Sequence, residues 1–211
     1  MSVEPTETAV EPNGVPPWQG DWPTGPQYAP ELLANGDTRN VGDEFRYWTE
    51  AGIRAELDRR LKYQPRLWIA IENWHHDFNI GSVVRTANAF NVAGVYIVGS
   101  KRWNRRGAMV TDKYLHIRHC DDALALQAVF PNLPIIGIDN IPGSIPIETY
   151  QFPSECLLVF GQESTGLTKE MQAICHDIVH ITQYGSTRSI NAGAAGAIAM
   201  FAWTTQFRRP V

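Results

Sequence analysis

The strongest constraint on this chain is a series of short, largely apolar segments set between helical stretches. Residues 67–72, 94–98, 135–139, 156–160 and 178–181 are rich in Ile, Val, Leu or Phe. They are too short for buried helices and lack the polar alternation of a strand with one wet face, so they read as strands covered on both sides. Between them, residues 82–90, 122–130, 168–174 and 189–207 read as helices. Such alternation predicts an α/β fold, with a mostly parallel sheet and helices on both faces. In open parallel sheets ligands bind where strands end at their carboxyl side, so the loops there are the places to look for chemistry.

Outside this core the composition changes. Residues 1–40 hold six acids and one base, with many Pro and Gly, and read as a flexible acidic tail. Trp18, Trp22 and Tyr28 are unusual in such a segment and suit either docking or plain exposure. A helical pattern follows over residues 44–61, leading into a domain assigned to 41–211. The formal net charge of −4 argues against a uniformly basic surface, yet it is unevenly spread. Between Arg54 and Arg118 there are twelve bases against five acids, densest at Lys101, Arg102, Trp103, Arg105 and Arg106. Cations around an aromatic suit phosphate contact and base stacking; an ordinary solvated loop is the plain alternative. Cys120, Cys156 and Cys175 form no CxxC pair, and no secretory signal is evident, so a reducing cytoplasm is expected. The uncharged run 189–207 is built mainly of Ala and Gly, which favours a closely packed helix over a membrane span.

Three loops stand out. After the first strand come Asn79, Gly81, Arg85 and Thr86, with Arg85 among Val83, Val84, Ala87 and Ala89. A guanidinium in such company calls for a partner, either a core carboxylate or a polar substrate. After the fourth strand the chain reads Gly161, Gln162, Glu163, Ser164, Thr165, Gly166, Leu167. Gly161 allows close backbone approach, Glu163 suits holding either a loop or a substrate, and Thr168 opens the next helix. The pattern also fits an ordinary Gly-rich turn, but not a phosphate-binding P-loop, since no Lys-Ser/Thr follows Gly166. After the fifth strand, Ile181, Gly185, Ser189, Ile190 and Asn191 precede six tiny residues. Ser189 is expected to cap that helix and Asn191 to lie in its first turn.

Taken together, the three loops resemble the SpoU (TrmH-type) RNA ribose methyltransferases of the SPOUT superfamily. Asn79, Gly81, Arg85, Thr86, Ala87, Ala89 and Phe90 match the first family motif. Gly161, Glu163, Gly166 and Leu167 match the second, and Ile181, Gly185, Ser189, Ile190 and Asn191 the third. The resemblance spans about residues 65–207. Thr182 stands where the family usually has Pro, Gly193 where it has Ser, and Asn91 where it has Gly.

The resemblance implies a C-terminal deep trefoil knot and S-adenosylmethionine bound by Ile138, Asp139, Asn140, Gly161, Ile181, Ile190 and Asn191. It implies methyl transfer to a ribose 2′-hydroxyl of tRNA or rRNA. Arg85 would hold ribose or phosphate and stabilise the developing alkoxide, with Asn79, Glu163, Ser189 and Asn191 ordering the site. RNA would meet Arg85 and the 101–106 loop. A homodimer is the family expectation, without membrane or metal. A non-catalytic RNA-binding protein keeping the fold is the alternative, with Thr182 and Gly193 as its support. His116-x-x-His119-Cys120 looks ligand-like but lacks a second metal-spaced pair; Cys175-His176 would need adjacency in space to act as nucleophile and base, and is read as surface or core packing.

Overall fold

The computed structural model describes residues 14–73, 79–162 and 165–208. Two compact units divide between Leu57 and Asp58.

In the first unit, residues 14–40 carry far more order than a flexible acidic tail, and residues 1–13 lie outside the described residues. Helix α1 (Pro30–Asn35) starts with Pro in its first turn, where a missing N–H costs nothing. Val15 bridges Asp37, and Tyr28 bridges Trp48. The organising group is Asp37, fully buried. It accepts from Arg39 Nε at 2.8 Å and Nη2 at 2.7 Å, and from the backbone N–H groups of Arg39 and Tyr47. Burial alone would raise this carboxyl, but those bonds outweigh it and hold it below its ordinary value. Trp18 stacks edge-on to Tyr47 and Tyr28 edge-on to Trp48, although Trp18 and Trp22 keep much of their surface exposed.

The helix expected over 44–61 is interrupted. A 3-10 turn covers Asp43–Phe45, Tyr47 takes a left-handed φ of 63°, and α2 runs from Glu50 to Leu61. Thr49 accepts from the N–H of Gly52, as a helix-capping side chain does. A single periodicity across 44–61 hid that break.

The second unit is a seven-stranded sheet in which every ladder is parallel. Its strands are β1 (Leu67–Asn73), β2 (Gly94–Gly99), β3 (Ile117–Cys120), β4 (Ile135–Ile138), β5 (Ile145–Pro146), β6 (Cys156–Phe160) and β7 (Asp177–His180). Their order is β3-β2-β1-β6-β4-β7-β5. Residues alternate between two cores: Leu67, Ile69 and Ile71 of β1 with Cys156, Leu158 and Phe160 of β6 face one, while Ala70, Leu157 and Val159 face the other. Helices α3 (Asn79–Ala89) and α6 (Ala192–Phe207) cover the first face; α4 (Ala123–Val129) and α5 (Lys169–Ile174) cover the second. The expected fold class, a mostly parallel sheet with helices on both faces, is therefore present. All five expected strands are there within a residue or two, whereas β3 and β5 are additional. Both lie at the ends of the sheet, where one flank needs no second strand and the sequence turns polar or admits Pro146.

Asp122 and Thr168 cap α4 and α5 through their side chains. The cap of α6 differs from expectation. Ser189 and Ile190 precede the helix, and it is Asn191 whose side chain accepts from the N–H of Ala194. Trp203 in α6 is fully buried and donates to Pro153 O at 3.1 Å.

Candidate functional site

β6 lies between β1 and β4, and the loops leaving β4, β6 and β7 open a cleft at their carboxyl ends. The cleft measures about 350 Å³. Ile138, Asp139, Asn140, Gly161, Ile181 and Ile190, six of the seven residues assigned to cofactor binding, line it, and so does Ser189. Asn191 does not. Its Nδ2 donates to Asn79 Oδ1 at 2.8 Å, which ties the first turn of α3 to the cap of α6.

The walls of the cleft are fixed by packing that leaves little slack. A Cβ on Gly161 would lie 2.1 Å from the carbonyl carbon of Gly166, so no other residue fits there with this loop shape. Gln162 and Gly166 exchange both backbone hydrogen bonds, at 3.1 and 2.9 Å. Gly166 takes φ 66° over Asp139, whose Oδ2 accepts from Leu167 N at 2.8 Å. Glu72, buried at the end of β1, accepts from Thr168 N at 2.9 Å and Thr168 Oγ1 at 2.6 Å. Two carboxylates thus strap the 161–168 loop to neighbouring strands.

The small residues of α6 have two uses. Gly193 packs on Ser82 and Gly196 on Val83, bringing α3 close, while Ala192 and Ala195 line the cleft. Pattern reasoning missed Gln162, Gln183 and Arg188 on the cleft wall. The Oε1 atoms of Gln162 and Gln183 are buried there without a hydrogen-bond donor.

Arg85 is exposed, which corrects the reading that it sits among apolar neighbours. Ile80, Val83, Val84 and Ala87 form the buried stripe of α3, and successive residues are about 100° apart around a helix. Arg85 therefore points outward with Ser82, and it pairs with no core carboxylate among the described residues. Glu163 lies outside the described residues, as do residues 74–78.

The basic loop leaves β2 at the same carboxyl edge of the sheet. Asn73 Nδ2 holds it by donating to Ser100 O at 2.7 Å and Arg102 O at 2.9 Å. Lys101, Arg102, Arg105 and Arg106 are exposed. Trp103 packs against the core, with the Arg105 guanidinium 5.6 Å from its ring centre, so it is less open to stacking than its neighbours in sequence suggested. Arg105 also meets Asp112 at 3.4 Å.

The discounted pairs have local partners. His116 bonds Asp58, His119 bonds Gly99 O, and His176 Nδ1 accepts from Ile135 N. Burial pushes the Cys175 thiol up to about 12. Among the described residues, no group of three or more His, Cys, Asp or Glu is placed to hold a metal, and no helix is long and apolar enough to cross a membrane.

Each departure from the family pattern has a structural counterpart. Asn91 adopts a left-handed φ of 45°, which Asn tolerates best after Gly. Thr182 donates its N–H and hydroxyl to Glu148, at 3.3 and 2.9 Å; Pro has no N–H to give. A Cβ at Gly193 would come within 3.0 Å of Ser82 Cβ.

Comparison with known proteins completes the picture. The 23S rRNA (guanosine-2′-O-)-methyltransferase RlmB of Acinetobacter baylyi is 24% identical over 155 residues, covering 69% of this chain and 62% of that protein. The tRNA (guanosine(18)-2′-O)-methyltransferase of Escherichia coli K12 is 25% identical over 144 residues, 65% of this chain and 62% of its own. The chain thus spans about three-fifths of the length of these curated relatives. The fold is shared with an AdoMet-bound rRNA methyltransferase from Sinorhizobium meliloti, at a TM-score of 0.61 and 21% identity over 68% of this chain and 57% of that one. It is also shared with the SpoU methyltransferase AviRb from Streptomyces viridochromogenes, at 0.59 and 22% over 68% and 58%. The model of the SpoU rRNA Methylase family matches residues 66–201, and the chain belongs to that family.

Proposed function

We propose that this protein transfers a methyl group from S-adenosylmethionine to a ribose 2′-hydroxyl of tRNA or rRNA. The observation that carries the reading is the cleft, in which residues from three separate strand exits converge beside the Asn79–Asn191 bond. Its lining fits a nucleoside with a charged tail. Ile138, Ile141, Phe160, Ile181 and Ile190 offer apolar contact, Asp139 and Arg188 bring opposite charges, and two buried amide oxygens lack a donor. The cofactor would supply a methyl group already activated on a positively charged sulfur.

The protein's own share of the work is binding and orientation. Arg85 holds the ribose or an adjacent phosphate and stabilises negative charge on the reacting oxygen; guanidinium groups are poor bases. Asn79 and Asn191 fix the meeting point of α3 and α6, while Ser189 and Glu163 order the loops on either side. Lys101, Arg102, Arg105 and Arg106, exposed at the same edge of the sheet, carry the phosphate contacts. The trefoil knot of the C-terminal segment belongs to the same proposal, supported by Gly161, Gly166, Ile181, Ile190 and Ala192 walling one cleft. A homodimer is supported by Ile198 and Phe201, both exposed on one side of α6. Three free thiols support a cytoplasmic location.

The test is transfer of tritiated methyl from S-adenosylmethionine to undermethylated RNA. Arg85→Ala abolishes transfer while calorimetric cofactor binding stays within about twofold, because Arg85 is not a cleft residue. Loss of cofactor binding in that variant, with turnover per bound cofactor preserved, refutes the role. The non-catalytic alternative gains no support from Thr182 or Gly193, since both are accounted for by local packing.

A further inference from the structure

We infer that Gln162 and Gln183 are side-chain recognition residues for the nucleoside cofactor, each accepting a hydrogen bond from it at a separate point. The inference rests on the proposed function and extends it to residues outside the three motifs. Among the described residues, three side-chain amide oxygens are buried without a donor: those of Asn73, Gln162 and Gln183. Two of the three lie in one cleft. A stranded acceptor is a standing cost to the folded chain, and a ligand that brings a donor removes it.

Gln183 Nε2 donates to Arg188 O, which can only accept, so Oε1 is the atom left without a partner. Gln162 has its backbone N–H and carbonyl engaged with Gly166, and its Nε2 directed at Thr165 Oγ1 at 3.4 Å. Gln162 is only 8% exposed, so solvent does little for its free oxygen. Gln162 follows β6 and Gln183 follows β7, with β4 between them. The strands they follow are two spacings, about 10 Å, apart. S-adenosylmethionine carries donors at well-separated points, namely the adenine amino group, the ribose hydroxyls and the α-ammonium.

Calorimetry of the full chain with S-adenosylmethionine tests this, using Gln162→Met and Gln183→Met, which keep side-chain length and remove the polar group. Each variant binds about tenfold more weakly, and its melting temperature without cofactor is unchanged or higher, because a stranded acceptor has gone. A melting temperature that does not fall in either Met variant separates lost recognition from lost folding. Titration with 5′-methylthioadenosine, which lacks the amino-acid tail, tells which donor each amide meets: a residue that serves the ammonium shows no effect of substitution on this ligand. Unchanged affinity for S-adenosylmethionine in either Met variant overturns the assignment of that residue, with water or the chain itself meeting its oxygen instead. Failure of the wild-type chain to bind S-adenosylmethionine overturns the proposed function, and this assignment with it.

Discussion

Gly161→Ala is the smallest change that should dismantle the cleft. The new methyl carbon would stand 2.1 Å from Gly166 C, 2.3 Å from Leu167 N and 2.4 Å from Gly166 O, all backbone atoms. Carbon atoms settle at about 3.5 Å, so the 161–167 loop must retreat by more than about 1 Å. That movement breaks the paired Gln162–Gly166 bonds and the bond from Leu167 N to Asp139. Two neutral hydrogen bonds at about 1 kcal/mol each and one charge-assisted bond at about 2 kcal/mol give a ceiling of about 4 kcal/mol. Partial relaxation brings the expected loss to about 3 kcal/mol, at the upper end of overpacking costs. Urea unfolding measures it as a lower midpoint at unchanged slope, and cofactor affinity falls at least tenfold, by about 1.4 kcal/mol or more. Gly185→Ala is the control, because a Cβ there meets nothing within 4 Å, and it should stay within about 0.5 kcal/mol of wild type. If Gly161→Ala matches wild type in stability and binding, the loop is not held as described.

Three further outcomes follow from the same geometry. Asn91→Gly should leave stability within about 1 kcal/mol of wild type, whereas Asn91→Val should lose about 2 kcal/mol by thermal melting, because a β-branched residue resists φ 45°. Asp37→Asn should cost about 2 kcal/mol at neutral pH. Since the folded carboxyl sits below its ordinary 3.8, its contribution is complete above that pH and is lost as acid carries the pH down through the lowered value. The gap between wild-type and variant melting temperatures should therefore narrow only below about pH 4. Phe201→Asp, placed on the exposed side of α6, should shift the proposed homodimer to monomer in sedimentation velocity while leaving the fold intact. A monomeric wild type would remove that interface from consideration.

The doubly buried strands are plain in the sequence because each is a short, largely apolar run, and the cleft residues are found because they leave those strands at Ile138, Phe160 and His180. Other features had no such mark. Residues 14–40 fold around an acid and an arginine, Asp37 and Arg39, and composition counts both as solvent-seeking. Val83, Val84 and Ala87 flank Arg85 along the chain and call for a partner, in the core or on a substrate, but helical rotation turns it outward. Gln162 and Gln183 belong to no motif. Their relevance is an unmet hydrogen bond, which appears only once the backbone around them is in place.

The three departures from the family motifs bear on whether the site still works. A protein drifting away from catalysis should lose motif residues without local compensation. Here Asn91 meets a left-handed backbone with the residue type that accepts it best after Gly. Thr182 spends its N–H and hydroxyl on Glu148, whose carboxyl is held below its ordinary range by its own backbone N–H first and by Thr182 after that, so the strand exit is fastened even without Pro. Gly193 stands where Ser82 presses from α3, so the lost side chain admits a closer helix contact and leaves no hole. Every substitution is matched to its surroundings, while Asn79, Arg85 and Asn191 keep the residue types on which the proposed chemistry depends. Compensation of this kind is what continued selection for a working cleft would leave behind, and it weighs against a relict that kept only the fold.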